Sequence, residues 1–208
     1  VLGIYIFLLL FLYYLKTRRF RNLVVCFSCL LCLGIYHTVM RWYDRPCPSL
    51  VFYNVRGCPA IHCIAEDGTS WLNYADTLSD KRRLQAVAAN YWRRHQLLPP
   101  IEVTADCQNV DFCRHQQIVF YHGCRICMVT DNRWRNKSAA SPLFINYMYL
   151  CKGYNGRLEE LTGLFSPSCI LLDASLSDDR KQFFREECKR LHLHFITLSE
   201  EGSVRFLL

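Results

Sequence analysis

The sequence predicts an α/β (α+β) fold, with two apolar N-terminal helices followed by one mixed-sheet domain. Three observations carry this. Two apolar runs flank a cluster of cations within residues 1–40. Short β-patterned segments bounded by Gly, Pro and Asx turns follow from residue 49. From residue 169 the chain reads strand, helix, strand, hairpin, the composition of a layered α/β or α+β fold.

Residues 1–15 are an unbroken apolar run, 16–21 read Lys-Thr-Arg-Arg-Phe-Arg, and 22–40 are apolar again apart from Asn22, Ser28, His37 and Thr38. A spanning helix needs about 20 apolar residues to cross roughly 30 Å of hydrocarbon, and the second run is about that long. The first reaches only about 22 Å at about 1.5 Å per residue, and it has no initiator Met or basic leader. The expectation is a transmembrane hairpin over residues 1–41 with a truncated first helix, the tail of a longer polytopic protein. A secretory signal fits poorly, because the cations follow the first apolar run and no small-residue cleavage site separates the two. A buried hairpin of a soluble domain would have to place four cations between two all-round apolar helices. Lys16, Arg18, Arg19 and Arg21 crowd the loop, whereas only Arg41 and Arg45, beside Asp44, follow the second run. The positive-inside rule therefore puts the loop in the cytoplasm and residues 42–208 outside it, with Trp42 and Tyr43 in an interfacial belt.

The net charge of +7 divides unevenly. Five cations precede Trp42 and all 18 acids follow it, so residues 42–208 hold 20 Lys or Arg against 18 Asp or Glu, a net of +2. Within them, residues 81–137 are locally basic. Lys81, Arg82, Arg83, Arg93, Arg94, Arg133, Arg135 and Lys137 are candidate contacts for phosphate, with Trp92 and Trp134 as candidate stacking platforms. A solvated helix face and a loop are the plainer reading of the same charges.

Residues 42–208 suffice for one core. Residues 49–55, 59–65 and 70–74 read as successive strands, the last two joined by the Glu66-Asp-Gly-Thr69 turn. Residues 81–96 read as a helix capped by Ser79 or Asp80, with Leu84, Val87, Ala88, Tyr91 and His95 on one face, ended by Pro99-Pro100. Residues 101–104, 117–121, 125–129 and 143–150 follow as strands, with a polar loop over 132–141. Residues 169–173 form a buried strand, and Ser177 caps a helix with Asp178 and Asp179 in its first turn and Phe183, Phe184, Cys188 and Leu191 as its stripe. Residues 194–198 form a further strand, and Glu201-Gly202 turns into 204–208.

Most of the thirteen cysteines fail as ligands on geometry. Cys26, Cys29 and Cys32 repeat at helical spacing in the second apolar run. Cys124 and Cys127 have knuckle spacing, but they lie in a strand, where residues three apart face opposite ways. Cys113, His122, Cys124 and Cys127 remain an alternative zinc set. His192 and His194 share one side of a strand without a third ligand. The sequence has no Gly-x-Ser-x-Gly, no phosphate-cradling Gly-rich loop and no His-Glu-x-x-His. Asp173, at a strand end, is the best single carboxylate, with a cap or salt bridge as its structural reading.

Residues 50–62, Leu-Val-Phe-Tyr-Asn-Val-Arg-Gly-Cys-Pro-Ala-Ile-His, resemble the start of the C-terminal domain of ComEC-type DNA-internalisation proteins. There a strand leads into an Asp-Val-Gly-Gln-Gly-Asp-Ala turn. Val55 and Ala60 match that turn, while Asn54 and Pro59 stand at its two Asp positions. Trp71-Leu-Asn73 resembles the next strand, with an amide in place of its final Asp. The tail from Leu164-Phe-Ser-Pro167 through Ile170-Leu-Leu-Asp-Ala-Ser175 to Glu200-Glu-Gly-Ser-Val204 is similar to the domain's closing elements. Full members carry a metallo-β-lactamase-like domain with a metal-binding His-x-His-x-Asp-His motif, which His95, His115 and His122 do not reproduce. The resemblance implies a degenerate, metal-ligand-less form of that domain, non-enzymatic and without cofactor. It implies the C-terminal part of a multi-pass protein of the bacterial inner membrane that takes up single-stranded DNA. Its partners would be the membrane, single-stranded DNA, an upstream channel segment of the same protein and other competence proteins. A membrane-anchored zinc-binding enzyme and a plain interaction module are the alternatives.

Overall fold

The computed structural model describes residues 2–17, 20–43, 47–74, 78–95 and 97–208. Arg18, Arg19, Asp44 and Arg45 lie outside it, as do the side chains of Cys26, His37, Arg41, Trp42, Tyr43, Ser79 and Asp80. The chain divides into two compact units, Val1–Arg45 and Pro46–Leu208.

The first unit is two helices, α1 (Leu2–Thr17) and α2 (Phe20–Tyr43). The hydroxyls of Thr17 and Thr38 donate back to the carbonyls of Tyr13 and Gly34 at 2.7 and 2.8 Å, so neither polar group is stranded on an apolar helix. Leu12, Phe27 and Leu31 are exposed. Both helices arise where the sequence predicts them, but among the described residues no helix is long and apolar enough to cross a membrane. The transmembrane hairpin is therefore not a structural finding. The 16 residues of α1 rise about 24 Å, short of a hydrocarbon core, while α2 opens on Arg21 and Asn22 and carries Ser28 and Thr38.

The second unit contains β1 (Ser49–Tyr53), β2 (Ala60–Ile64), β3 (Ser70–Tyr74), α3 (Leu78–Arg94), β4 (Ile101–Val103), β5 (Cys107–Gln108), β6 (Phe112–His115), β7 (Ile118–Tyr121), β8 (Cys124–Val129) and β9 (Leu143–Leu150). It closes with α4 (Leu158–Thr162), β10 (Phe165–Leu172), α5 (Asp178–Arg190), β11 (Phe195–Thr197), α6 (Leu198–Glu201) and β12 (Val204–Leu207). The strands form two sheets, ordered β12-β1-β2-β3-β4 and β11-β10-β9-β8-β7-β6-β5. The first is antiparallel except at β3–β4, with Leu50 between Phe206 and Cys63. In the second, β8 to β11 run parallel, with Tyr149 between Met128 and Leu171, and the remaining pairs are antiparallel.

Alternation along the strands creates three apolar layers. Leu50, Phe52, Ile61 and Trp71 of the first sheet meet Phe112, Tyr121, Ile126, Tyr149 and Leu171 of the second. On the outer face of the first sheet, Val51, Tyr53 and Leu72 pack on Leu84 and Ala88 of α3. On the outer face of the second, Val129, Met148 and Ile170 pack with Leu158 and Leu161 of α4 and Phe184 and Cys188 of α5. The order is helix, sheet, sheet, helix.

The expected elements form with small differences. Val87 is half exposed rather than part of the buried face of α3, where Tyr91 and Trp92 complete the stripe. β5, β6, α4 and α6 are additional, and β10 begins at Phe165 instead of 169. His192 sits in a turn at φ 53, before β11, so it does not share a strand face with His194.

Candidate functional site

Two adjacent parallel strands, β9 and β10, end together and are locked there. Asp173 is fully buried, and its carboxylate accepts from the Tyr149 hydroxyl and, at 2.7 Å, from the Ser175 N–H. Its own N–H donates to the Leu150 carbonyl at 3.0 Å, and the Lys152 N–H donates to the Ser175 hydroxyl at 3.0 Å. Burial pushes Asp173 above the ordinary carboxylate range while the bonds from Ser175 and Tyr149 pull against it. Asp173 thus acts as an internal latch between strand ends, whereas the cap of the following helix is Ser177 and Asp173 forms no salt bridge among the described residues. Beyond it, Gly153 turns at φ 114 so close to the Thr130 carbonyl that a Cβ would collide with it.

Ser175 and Lys152, which the latch holds, line an open cleft of about 510 Å³ whose lining also includes Arg56, Arg83, Arg180 and Ser177, with no Asp or Glu among the described lining residues. The cations come from four places. Arg56 stands on the β1–β2 turn, which closes through the Cys58 N–H to the Val55 carbonyl at 3.0 Å and takes φ 84 at Gly57. Arg83 projects from α3 and Lys152 follows β9. Arg180 lies in the first turn of α5, where its guanidinium donates to the carbonyls of Tyr154 and Gly156 at 3.3 and 2.9 Å and covers the rings of Phe183 and Phe184. A second hollow of about 360 Å³ adjoins at Arg56 and Ser177 and contains Asp178, which Lys181 neutralises at 3.2 Å.

The residues predicted from charge are dispersed. Lys81 pairs with Glu102 at 2.7 Å, where the Tyr74 hydroxyl also donates. Arg82 and Arg83 are exposed on the first half of α3. Arg93 and Arg94 are exposed at its far end, with Arg93 donating to Asn90 at 3.4 Å. Arg133 grips Asp131 through Nε and Nη2, Arg135 meets Glu160 at 3.4 Å, and Lys137 lies 5.2 Å from the Trp134 ring centre. The structure brings Arg83 of this set into the cleft. Arg56, Lys152 and Arg180, which the charge argument missed, complete it. The two tryptophans are committed to the fold: Trp134 donates to Gln117 at 2.6 Å and packs edge-on to Phe165. Trp92 donates to the Tyr53 hydroxyl at 3.0 Å, which in turn contacts Nδ1 of buried His62 at 2.9 Å.

The alternative zinc set does not converge. Cys127 faces the outer core of the second sheet and Cys124 the inner one, as strand alternation requires. His122 occupies the two-residue β7–β8 turn at φ 43, against the Tyr121 ring, and Cys113 pairs across β6–β7 with Phe120. Among the described residues no group of three or more His, Cys, Asp or Glu could hold a metal ion. Burial also raises the Cys127 thiol to about 12.

A family model, the ComEC C-terminal domain, matches residues 50–208, most of the chain and nearly all of its second unit. The chain belongs to this family. The membership confirms the resemblance seen at residues 50–62 and in the tail, and it gives the protein a competence and DNA-uptake context at the inner membrane. No curated protein and no solved structure matches the chain.

Proposed function

We propose that this ComEC-family chain is the C-terminal part of a multi-pass inner-membrane protein that takes up single-stranded DNA, and that its second unit is an extracytoplasmic, non-catalytic module guiding the strand electrostatically. The channel would lie in an upstream segment of the same protein, and other competence proteins would be further partners. The observation that carries the reading is the convergence of Arg56, Arg83, Lys152 and Arg180 on one cleft in a chain of this family. Fixed cations lining one concavity attract and orient phosphate.

The reading is tested by fluorescence anisotropy of the full chain with a labelled single-stranded oligonucleotide. Binding should be micromolar or weaker, indifferent to base sequence, and should fall steeply as salt rises from 50 to 200 mM. The oligonucleotide should remain intact after prolonged incubation with Mg²⁺ or Zn²⁺. Salt-independent or absent binding would remove the guiding role, and cleavage would remove the non-catalytic one.

A further inference from the structure

We infer that the cleft at the ends of β9 and β10 is a phosphate-binding site, built to hold the backbone of a nucleic-acid strand by Arg56, Lys152 and Arg180, with Arg83 leading into it from α3. This deepens the DNA reading and rests on it for the identity of the ligand. Four cations line one concavity while Asp178, the acid at its flank, is paired with Lys181. Uncompensated like charges in a shared hollow repel, and an anion removes that cost. Arg180 is also preorganised. Two backbone carbonyls and two aromatic faces fix its guanidinium. A planar cation held in place at the cleft wall suits a phosphate oxygen.

The cleft supplies further donors. Ser177 caps the 13-residue α5, taking the Arg180 N–H and leaving the N–H groups of Asp178 and Asp179 at the helix start, and the Ser175 hydroxyl lies beside Lys152. The concavity is open, so a strand can pass across it while successive phosphates visit Arg56, Lys152 and Arg83. Arg56 and Lys152 are exposed and make no side-chain bond among the described residues, so their replacement tests binding without dismantling the fold.

Two double variants of the full chain, Arg56→Glu with Lys152→Glu and Arg93→Glu with Arg94→Glu, are compared with the parent by anisotropy with a labelled oligo-dT. Far-UV circular dichroism and the unfolding midpoint serve as fold controls. The cleft variant should lose at least tenfold in affinity, and its log–log salt slope should shrink by about 1.4, the value for two lost single-strand phosphate contacts. The variant at the far end of α3 should lose less. Full affinity in the cleft variant with loss in the α3 variant would overturn the inference and leave DNA guidance standing. If the parent binds no strand but millimolar inorganic phosphate raises its unfolding midpoint and not that of the cleft variant, the site stands and the DNA reading falls. A parent indifferent to both ligands overturns both.

Discussion

His62 lies in β2 with its ring fully buried, between the Tyr53 hydroxyl and the edge of Trp92, and its Nε2 has no partner among the described residues. Burial lowers its pKa from 6.5 to about 3, so the native state stays unprotonated where the unfolded chain takes up a proton. A depressed folded value means that stability is lost as pH falls below 6.5, at about 1.4 kcal/mol per unit. Asp173 has the opposite sign. Its raised value means that acid relieves its burial, and a comparison of chains that both keep Asp173 cancels that contribution. Urea unfolding at pH 7 and 5 should therefore show the parent losing about 2 kcal/mol more than His62→Gln. Equal losses would mean that His62 is protonated in the native state. Asp173→Ala would orphan the Tyr149 hydroxyl and the Ser175 N–H, and should cost about 1–3 kcal/mol by the same measurement. Asp173 was visible in the sequence as a strand-end carboxylate. His62 was not, because Ala60-Ile-His-Cys-Ile64 is buried along its whole length and carries no alternation to mark which face a histidine takes.

The helix α5 shows how well local rules read when they agree. Ser177 takes an extended conformation and accepts from the Arg180 N–H at 3.4 Å, Asp178 and Asp179 fill the first turn, and Lys189 and Arg190 fill the last. Ser177→Ala should cost about 0.5–1 kcal/mol, the low end for a cap, because the bond is long. Phe184 is its anchor, fully buried against Tyr154 and Phe183, and Phe184→Ala should cost about 3–5 kcal/mol in chemical denaturation. A cost no larger than that of the cap variant would mean that the outer core collapses around the gap. The same rules fail where elements are short or half-wet. β5 has two residues, β6 reads Phe-Cys-Arg-His with one buried side chain, and α4 has five residues held by the Leu158 N–H to the buried Glu187 carboxylate at 2.7 Å. β5 and β6 pair with near neighbours but are too short to carry a period, whereas the Phe112 ring stacks on Trp71 and α4 rests on Glu187, partners that no window of local pattern contains.

At the scale of the whole molecule, that dependence on distant partners explains why the cleft was only partly legible. Arg83 stood out as part of a local basic run, whereas Arg56 and Lys152 stand singly, Arg180-Lys181 follows Asp178-Asp179 with no local excess of charge, and the four cleft cations meet because two sheets pack face to face. The first sheet carries Arg56 on its β1–β2 turn, and the second carries Lys152 and the strand end that precedes α5. Cleft geometry is therefore a property of the shared core. Phe52 is the residue at which that coupling can be tested. It is fully buried, with its ring 5.3 Å from Tyr149 and 5.8 Å from Tyr147 in the facing sheet and 5.9 Å from Phe206 in its own. Phe52→Ala removes three aromatic contacts and opens a void between sheets, and such changes cost about 3–5 kcal/mol. If the two sheets form one cooperative unit, urea unfolding followed by tryptophan fluorescence and by far-UV circular dichroism should shift together, in one transition. Oligonucleotide affinity should weaken as well, although Phe52 is a core residue and touches no ligand, because the turn bearing Arg56 and the strand end before Lys152 lose their common support. Two separated transitions, or a destabilised protein with parental affinity, would show that each sheet holds its share of the cleft independently.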